Sequence, residues 1–113
     1  MPYSRGMKVV ATAVYDRRAN RLLSAAERTT AELQIAFAPD AWPVVPGTGG
    51  ARKARIARGG KGKRGGARVI YFAWLARDTL FLLDVYAKNE KENLTHADKK
   101  DVHRAIAALR AET

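Results

Sequence analysis

Five basic side chains have the types and spacing to handle a phosphodiester: Arg52, Lys53 and Arg55 close together, then Arg68 and, further on, Lys88. Guanidinium forks grip phosphate oxygens in pairs and ammonium groups act as point charges. A cluster of both can bind a nucleic-acid backbone and stabilise the extra negative charge of a pentavalent phosphorus transition state. Crowded cations also depress one another's pKa, which makes a lysine usable as a general acid or base. On composition alone, such a patch is more often a passive nucleic-acid or ribosome contact than a catalytic site.

The charge is concentrated. Ala51–Arg77 holds nine Lys or Arg residues and no acid, whereas the rest of the 113-residue chain balances 12 bases against 11 acids. A pI near 10.4 points to a polyanionic partner, with nucleic acid the commonest. Other chemistries are poorly supported. The chain has no cysteine, and its two histidines, His96 and His103, read as solvated helix residues, so no metal or other cofactor is expected. Gly62-Lys63 is followed by Arg64 where a phosphate loop needs Ser or Thr. Without a secretory signal or a bilayer-length apolar run, the chain is expected in the cytoplasm, away from membranes.

The elements that must position the cations follow from local pattern. Residues 1–6 read as a loose start. Lys8–Tyr15, rich in β-branched residues, predicts a first strand, and a short Arg-rich helix follows it to Leu23. Ser24 and Glu27 form a capping box that opens a second helix, stopped by Pro39. Three prolines and the Gly47–Gly50 run break the chain next, with Trp42, Val44 and Val45 expected to pin this loop to the body. Arg52–Arg58 suits a strand with Lys53 and Arg55 on one face and Ala54 and Ile56 on the other. Gly59–Gly66 reads as a basic tip without fixed shape. Ala67–Leu75 and Thr79–Tyr86 predict a hairpin, and Thr95 with Asp98 caps an amphipathic C-terminal helix. The order β-α-α-β-β-β-α predicts one α+β domain, an antiparallel sheet with helices on one face. Arg52, Lys53, Arg55 and Arg68 would then share a patch that Lys88 could join.

Several collinear motifs resemble the HigB branch of the RelE/ParE toxin superfamily: Pro46–Gly50, Arg52-Lys53, Gly62–Tyr71, Tyr86–Lys91 and Leu94-Thr95. The resemblance implies an α+β RelE/ParE-like fold, with a sheet of about four strands, an N-terminal helical hairpin packed on one face and a short C-terminal helix. It implies the toxin of a type II toxin–antitoxin pair, an mRNA endonuclease that needs the ribosome but no metal and uses the RNA 2′-hydroxyl. The partners implied are a cognate antitoxin with a helix-turn-helix domain, and mRNA with rRNA in the ribosomal A site. The family's basic pattern falls on Lys53, Arg55, Arg68 and Lys88 as catalytic residues. Arg52, Arg58, Lys61, Lys63, Arg64, Asn89 and Lys91 are the expected RNA contacts, with Tyr86 a substitute for the family's base-stacking tyrosine, whose place Thr95 occupies. The same scaffold also hosts poisons of DNA gyrase, and a non-catalytic RNA- or ribosome-binding module is the third reading.

Overall fold

The computed structural model describes residues 7–60 and 65–112; the loose start expected at 1–6 and the basic residues Lys61, Lys63 and Arg64 lie outside them. Strand β1 (Lys8–Ala11) leads into helix α1 (Ala13–Leu22) and helix α2 (Ala25–Phe37), followed by strands β2 (Arg52–Ile56), β3 (Ala67–Trp74) and β4 (Thr79–Ala87) and helix α3 (His96–Ala111). The sheet order is β1-β4-β3-β2. None of the described helices is long and apolar enough to cross a membrane.

β1 is shorter than its β-branched run predicts. Thr12 caps α1 instead, its side chain accepting the Tyr15 N–H, while its own N–H and hydroxyl donate to the carbonyls of Leu82 and Leu83. Those bonds make β1 continue alongside β4 in the same direction, so this pair is parallel while β2–β3 and β3–β4 are antiparallel. The sheet is therefore mixed rather than purely antiparallel. The capping boxes at Ser24/Glu27 and Thr95/Asp98 form as expected, each satisfying two backbone donors that a helix start leaves open.

The helices cover both faces of the sheet, not one. Tyr15 and Ala19 of α1 and Ile35 of α2 pack on Ala54, Ile56, Val69, Tyr71 and Leu82. Val102 and Ile106 of α3 pack on Ile70, Phe72, Leu83 and Tyr86 across the other face. Burial on two sides explains why β3 is apolar from Val69 to Trp74. Of the three residues expected to pin the proline loop, Trp42 packs on the first cluster and Val45 on the second. Val44 remains 46% exposed, because it alternates away from Val45 as an isolated bridge to Arg52.

One irregularity sets the geometry of the site. Ile70 faces Asp84 and Tyr71 faces Leu82, so Leu83 is an extra residue in β4. A one-residue insertion inverts the facing of everything beyond it. Leu80 and Leu82 face the hairpin before the bulge and Val85 does so after it, which leaves Tyr86 on the α3 face opposite Arg68.

The loop before β2 is fixed from within. The Thr48 hydroxyl donates to the Val45 carbonyl at 2.7 Å and accepts the Ala51 N–H at 3.0 Å. Gly49 has φ +78°, and a Cβ there would lie 3.1 Å from the His103 ring. Gly49→Ala is therefore expected to cost about 1–2 kcal/mol from the left-handed backbone alone. A lower urea midpoint at unchanged m-value would show it; an unchanged midpoint would contradict it.

Candidate active site

Strand alternation sends Ala54 and Ile56 into the core beneath the helical hairpin, so Lys53 and Arg55 face the α3 side. In register, Lys53 lies beside Ile70, Arg55 beside Arg68, and Arg68 beside Tyr86. Arg55, Arg68 and Tyr86 thus form a row across three strands, with Lys53 two residues along β2.

Within this row the surroundings differ. Arg68 is only 7% exposed, and its Nη1 donates to the Ala67 carbonyl at 3.1 Å. Arg55 is exposed at the sheet edge, and its guanidinium reaches toward the hairpin side, 5.9 Å from the Trp42 ring centroid and lining a cavity there with Gln34 and Ile35. Lys53 Nζ donates to Asn93 Oδ1 at 2.8 Å, which ties the strand to the loop before α3. Partial burial lowers the Lys53 pKa from its ordinary value, and the charges of Arg68 and then Arg55 lower it further, against an opposing pull from Glu92. A half-buried ammonium beside two guanidiniums gives up its proton more readily than a solvated one. Lys88 follows β4 directly; its backbone N–H continues the ladder to the Gly66 carbonyl at 3.1 Å, and it is half-buried.

The expected RNA contacts do not all lie on this surface. Arg52 has the parity of Ala54 and turns to the other side, where its Nη1 donates to the carbonyls of Trp42 and Asp40. Arg58 donates through Nε to the Leu22 carbonyl at 3.0 Å, bracing the hairpin. Neither joins the Lys53 patch, so the four-residue cluster expected with Arg52 reduces on β2 and β3 to Lys53, Arg55 and Arg68. Lys91 pairs with Asp98 at 2.7 Å, so its charge serves the start of α3. Asn89 is exposed. Thr95, standing where the family pattern has a stacking tyrosine, is the N-cap of α3.

Tyr86 does not suit base stacking. Its ring is 2% exposed beneath α3, with Lys91 Nζ 5.0 Å from the ring centroid. Burial pushes its pKa up to about 12, and among the described residues its buried hydroxyl has no hydrogen-bond partner. Removing a buried, unpartnered hydroxyl spares its desolvation, so Tyr86→Phe is expected to be neutral or to stabilise by up to about 1 kcal/mol. Thermal or urea unfolding reads this directly, and a clear loss of stability would contradict it.

Sequence reasoning missed Asn93 and Lys99. Asn93 holds Lys53 from 40 positions away. Lys99 adds positive charge that Lys53 senses. Neither interaction has a local signature, although Lys99 does stand at three- and four-residue spacing from its neighbours along α3.

Relatives share this architecture. A family model described as the RelE toxin of the RelE / RelB toxin–antitoxin system matches residues 46–113. The fold is similar to that of isolated E. coli RelE toxin, with a TM-score of 0.55 at 14% identity over 88% of this chain and 98% of the other. A free E. coli RelE mutant gives 0.55 at 13% identity, covering 76% and 87% of the two chains. A chain of the intact E. coli RelBE toxin–antitoxin complex gives 0.52 at 14% identity, covering 72% and 95%. At such identities the structures speak for the fold, while the family model spans more than half of the sequence and includes all of β2, β3, β4 and α3. The chain belongs to the RelE toxin family of toxin–antitoxin systems.

Proposed function

We propose that this toxin is a metal-independent endonuclease that cuts mRNA in the ribosomal A site, and that Lys53, Arg55, Arg68 and Lys88 are its working groups. The observation that carries this reading is Lys53 held by Asn93 among cationic neighbours, with its pKa lowered. In the step envisaged, Lys53 accepts the proton of a 2′-hydroxyl. The 2′-oxygen attacks the adjacent phosphorus and the bond to the 5′-oxygen breaks. Arg68 and Arg55 meet the charge on the non-bridging oxygens, and Lys88 meets the charge on the leaving oxygen and supplies its proton. The products are a 2′,3′-cyclic phosphate and a 5′-hydroxyl, so atoms and charge balance without a co-reactant.

A cognate antitoxin follows from the family, and we infer that it carries a helix-turn-helix domain. The test of the activity is incubation of purified toxin with programmed ribosomes beside a gyrase supercoiling assay. Cut message with unaffected supercoiling supports the reading. Inhibited gyrase with intact message would replace it with gyrase poisoning, and RNA binding without cutting would replace it with a binding module.

A further inference from the structure

Outside the site just described, the strongest unassigned feature is the side of α3 that faces the Gly47–Gly50 loop. Lys99, His103 and Arg110 recur there at helical spacing, with buried Ile106 between them anchoring the helix. The loop lies close against this row: a Cβ on Gly47 would meet the Lys99 side chain at 3.6 Å, and one on Gly49 the His103 ring. Among the described residues no acidic side chain pairs with Lys99 or His103. The acids of α3 are used elsewhere, Asp98 by Lys91 and Asp101 by Arg104, and both line a separate cavity with Arg18 and Asp84.

The two ends of the row are informative. Near one end, Lys99 is close enough to Lys53 for its charge to act on that amine. At the other, Arg110 lies 4.8 Å from the Phe72 ring centroid and 5.6 Å from that of Trp74, and Arg77 lies 5.1 Å from Trp74. Trp74 is half-buried, with the Phe72 ring centroid 5.9 Å from its own. From Lys99 to Arg110 the helix rises about 16 Å. A cationic track that leads away from a phosphodiester site and ends at an aromatic flanked by arginines has the make-up of a single-strand nucleic-acid groove, where phosphates meet the cations and an unpaired base meets the ring.

We propose that this side of α3, from Lys99 through His103 and Arg110 to Trp74 and Arg77, holds the single-stranded message flanking the cleaved linkage. The inference rests on the reading of this toxin as a message-cleaving enzyme and deepens it by naming where the strand runs. Lys99 and Arg77 are the groups to remove, since neither belongs to the apolar core or to the reacting cluster.

The experiment compares wild type with Lys99→Ala/Arg77→Ala, and with Lys99→Gln/Arg77→Gln as a milder second variant, after circular dichroism and melting show each folded. One arm titrates a short single-stranded RNA, 2′-O-methylated throughout so that it cannot be cut, across a range of salt. The slope of log K against log salt is expected to fall in magnitude by about 0.7 for each phosphate that the variant no longer neutralises. A second arm measures cleavage on programmed ribosomes, where KM is expected to rise, while kcat changes only through a shift of its pH profile to higher pH as Lys53 loses the charge of Lys99. Wild-type slope and KM in the variants, with wild type cutting normally, would overturn the track. A defect on empty ribosomes, with the oligonucleotide bound normally, would place this surface against ribosomal RNA and overturn its assignment to the message. If wild type leaves message intact while the slopes change as stated, the cleavage reading falls and the track stands.

Discussion

Arg68→Ala is expected to lower the rate of cleavage of ribosome-bound message by about 10²–10³-fold, the usual cost of removing a fixed donor that meets charge in a transition state. Arg68 stands at the centre of the row, between Arg55 on one strand and Tyr86 on the other, and is nearly buried. Burial holds the guanidinium in place and weakens its screening by solvent, so it reorganises little as the phosphorus becomes pentavalent. An exposed arginine such as Arg55 is better screened, and Arg55→Ala should cost less. Because truncation at a buried position leaves a void, Arg68→Gln is the companion variant. It keeps most of the volume and the capacity to donate to the Ala67 carbonyl, and should be almost as inactive. Wild-type cleavage by a folded Arg68→Gln protein would remove Arg68 from the chemistry.

Lys53→Met is the second large effect, expected at about 10²–10⁴-fold, the range for loss of a general base. The pH dependence distinguishes this role from a structural one. A base must be deprotonated, so the wild-type rate should climb with pH until it passes the Lys53 pKa, which lies below the ordinary 10.5. In Arg68→Gln one of the charges that lowers that pKa is gone, and the residual rate should rise later, at higher pH. Stability has the matching sign. Between the lowered folded value and the ordinary one, the unfolded chain binds more protons at Lys53 than the folded chain does. Stability contributed by this group therefore increases with rising pH through that window and is lost as pH falls through it. Lys53→Met should abolish that rise and melt no lower than wild type near neutral pH. A residual profile identical to that of wild type would contradict the assignment.

Much of the fold was legible because its causes are local. Ser24 with Glu27 and Thr95 with Asp98 announce helix starts through side chains that bond their own backbones, and both boxes form. The density of Val, Ile, Tyr and Phe in Ala67–Trp74 marks β3 nearly to the residue. What failed depends on distant partners. The run from Lys8 to Tyr15 is as β-branched as a strand, yet tertiary hydrogen bonds to Leu82 and Leu83 give Thr12 to α1. The parallel pairing of β1 and the crossing of α3 to the other face are likewise products of assembly.

The site was legible to the same degree. Alternation along β2 put Lys53 and Arg55 on one face, and the register adds Arg68. The same alternation also excludes Arg52, a signal that a count of charges overlooks. Tyr86 could not be read, since its face depends on the bulge at Leu83 and its burial on α3. Lys61, Lys63 and Arg64 lie outside the described residues.

The measurement that goes most directly to the central claim is the chemistry of the cut end. Wild-type toxin should be incubated with ribosomes programmed with an ordinary message and with one carrying 2′-O-methyl groups across the A-site codon. The expected result is cutting of the first to leave a 2′,3′-cyclic phosphate, and survival of the second. Cutting of the methylated codon at the same bond, or a product ending in a free 3′-hydroxyl, would contradict a mechanism in which Lys53 takes the 2′ proton.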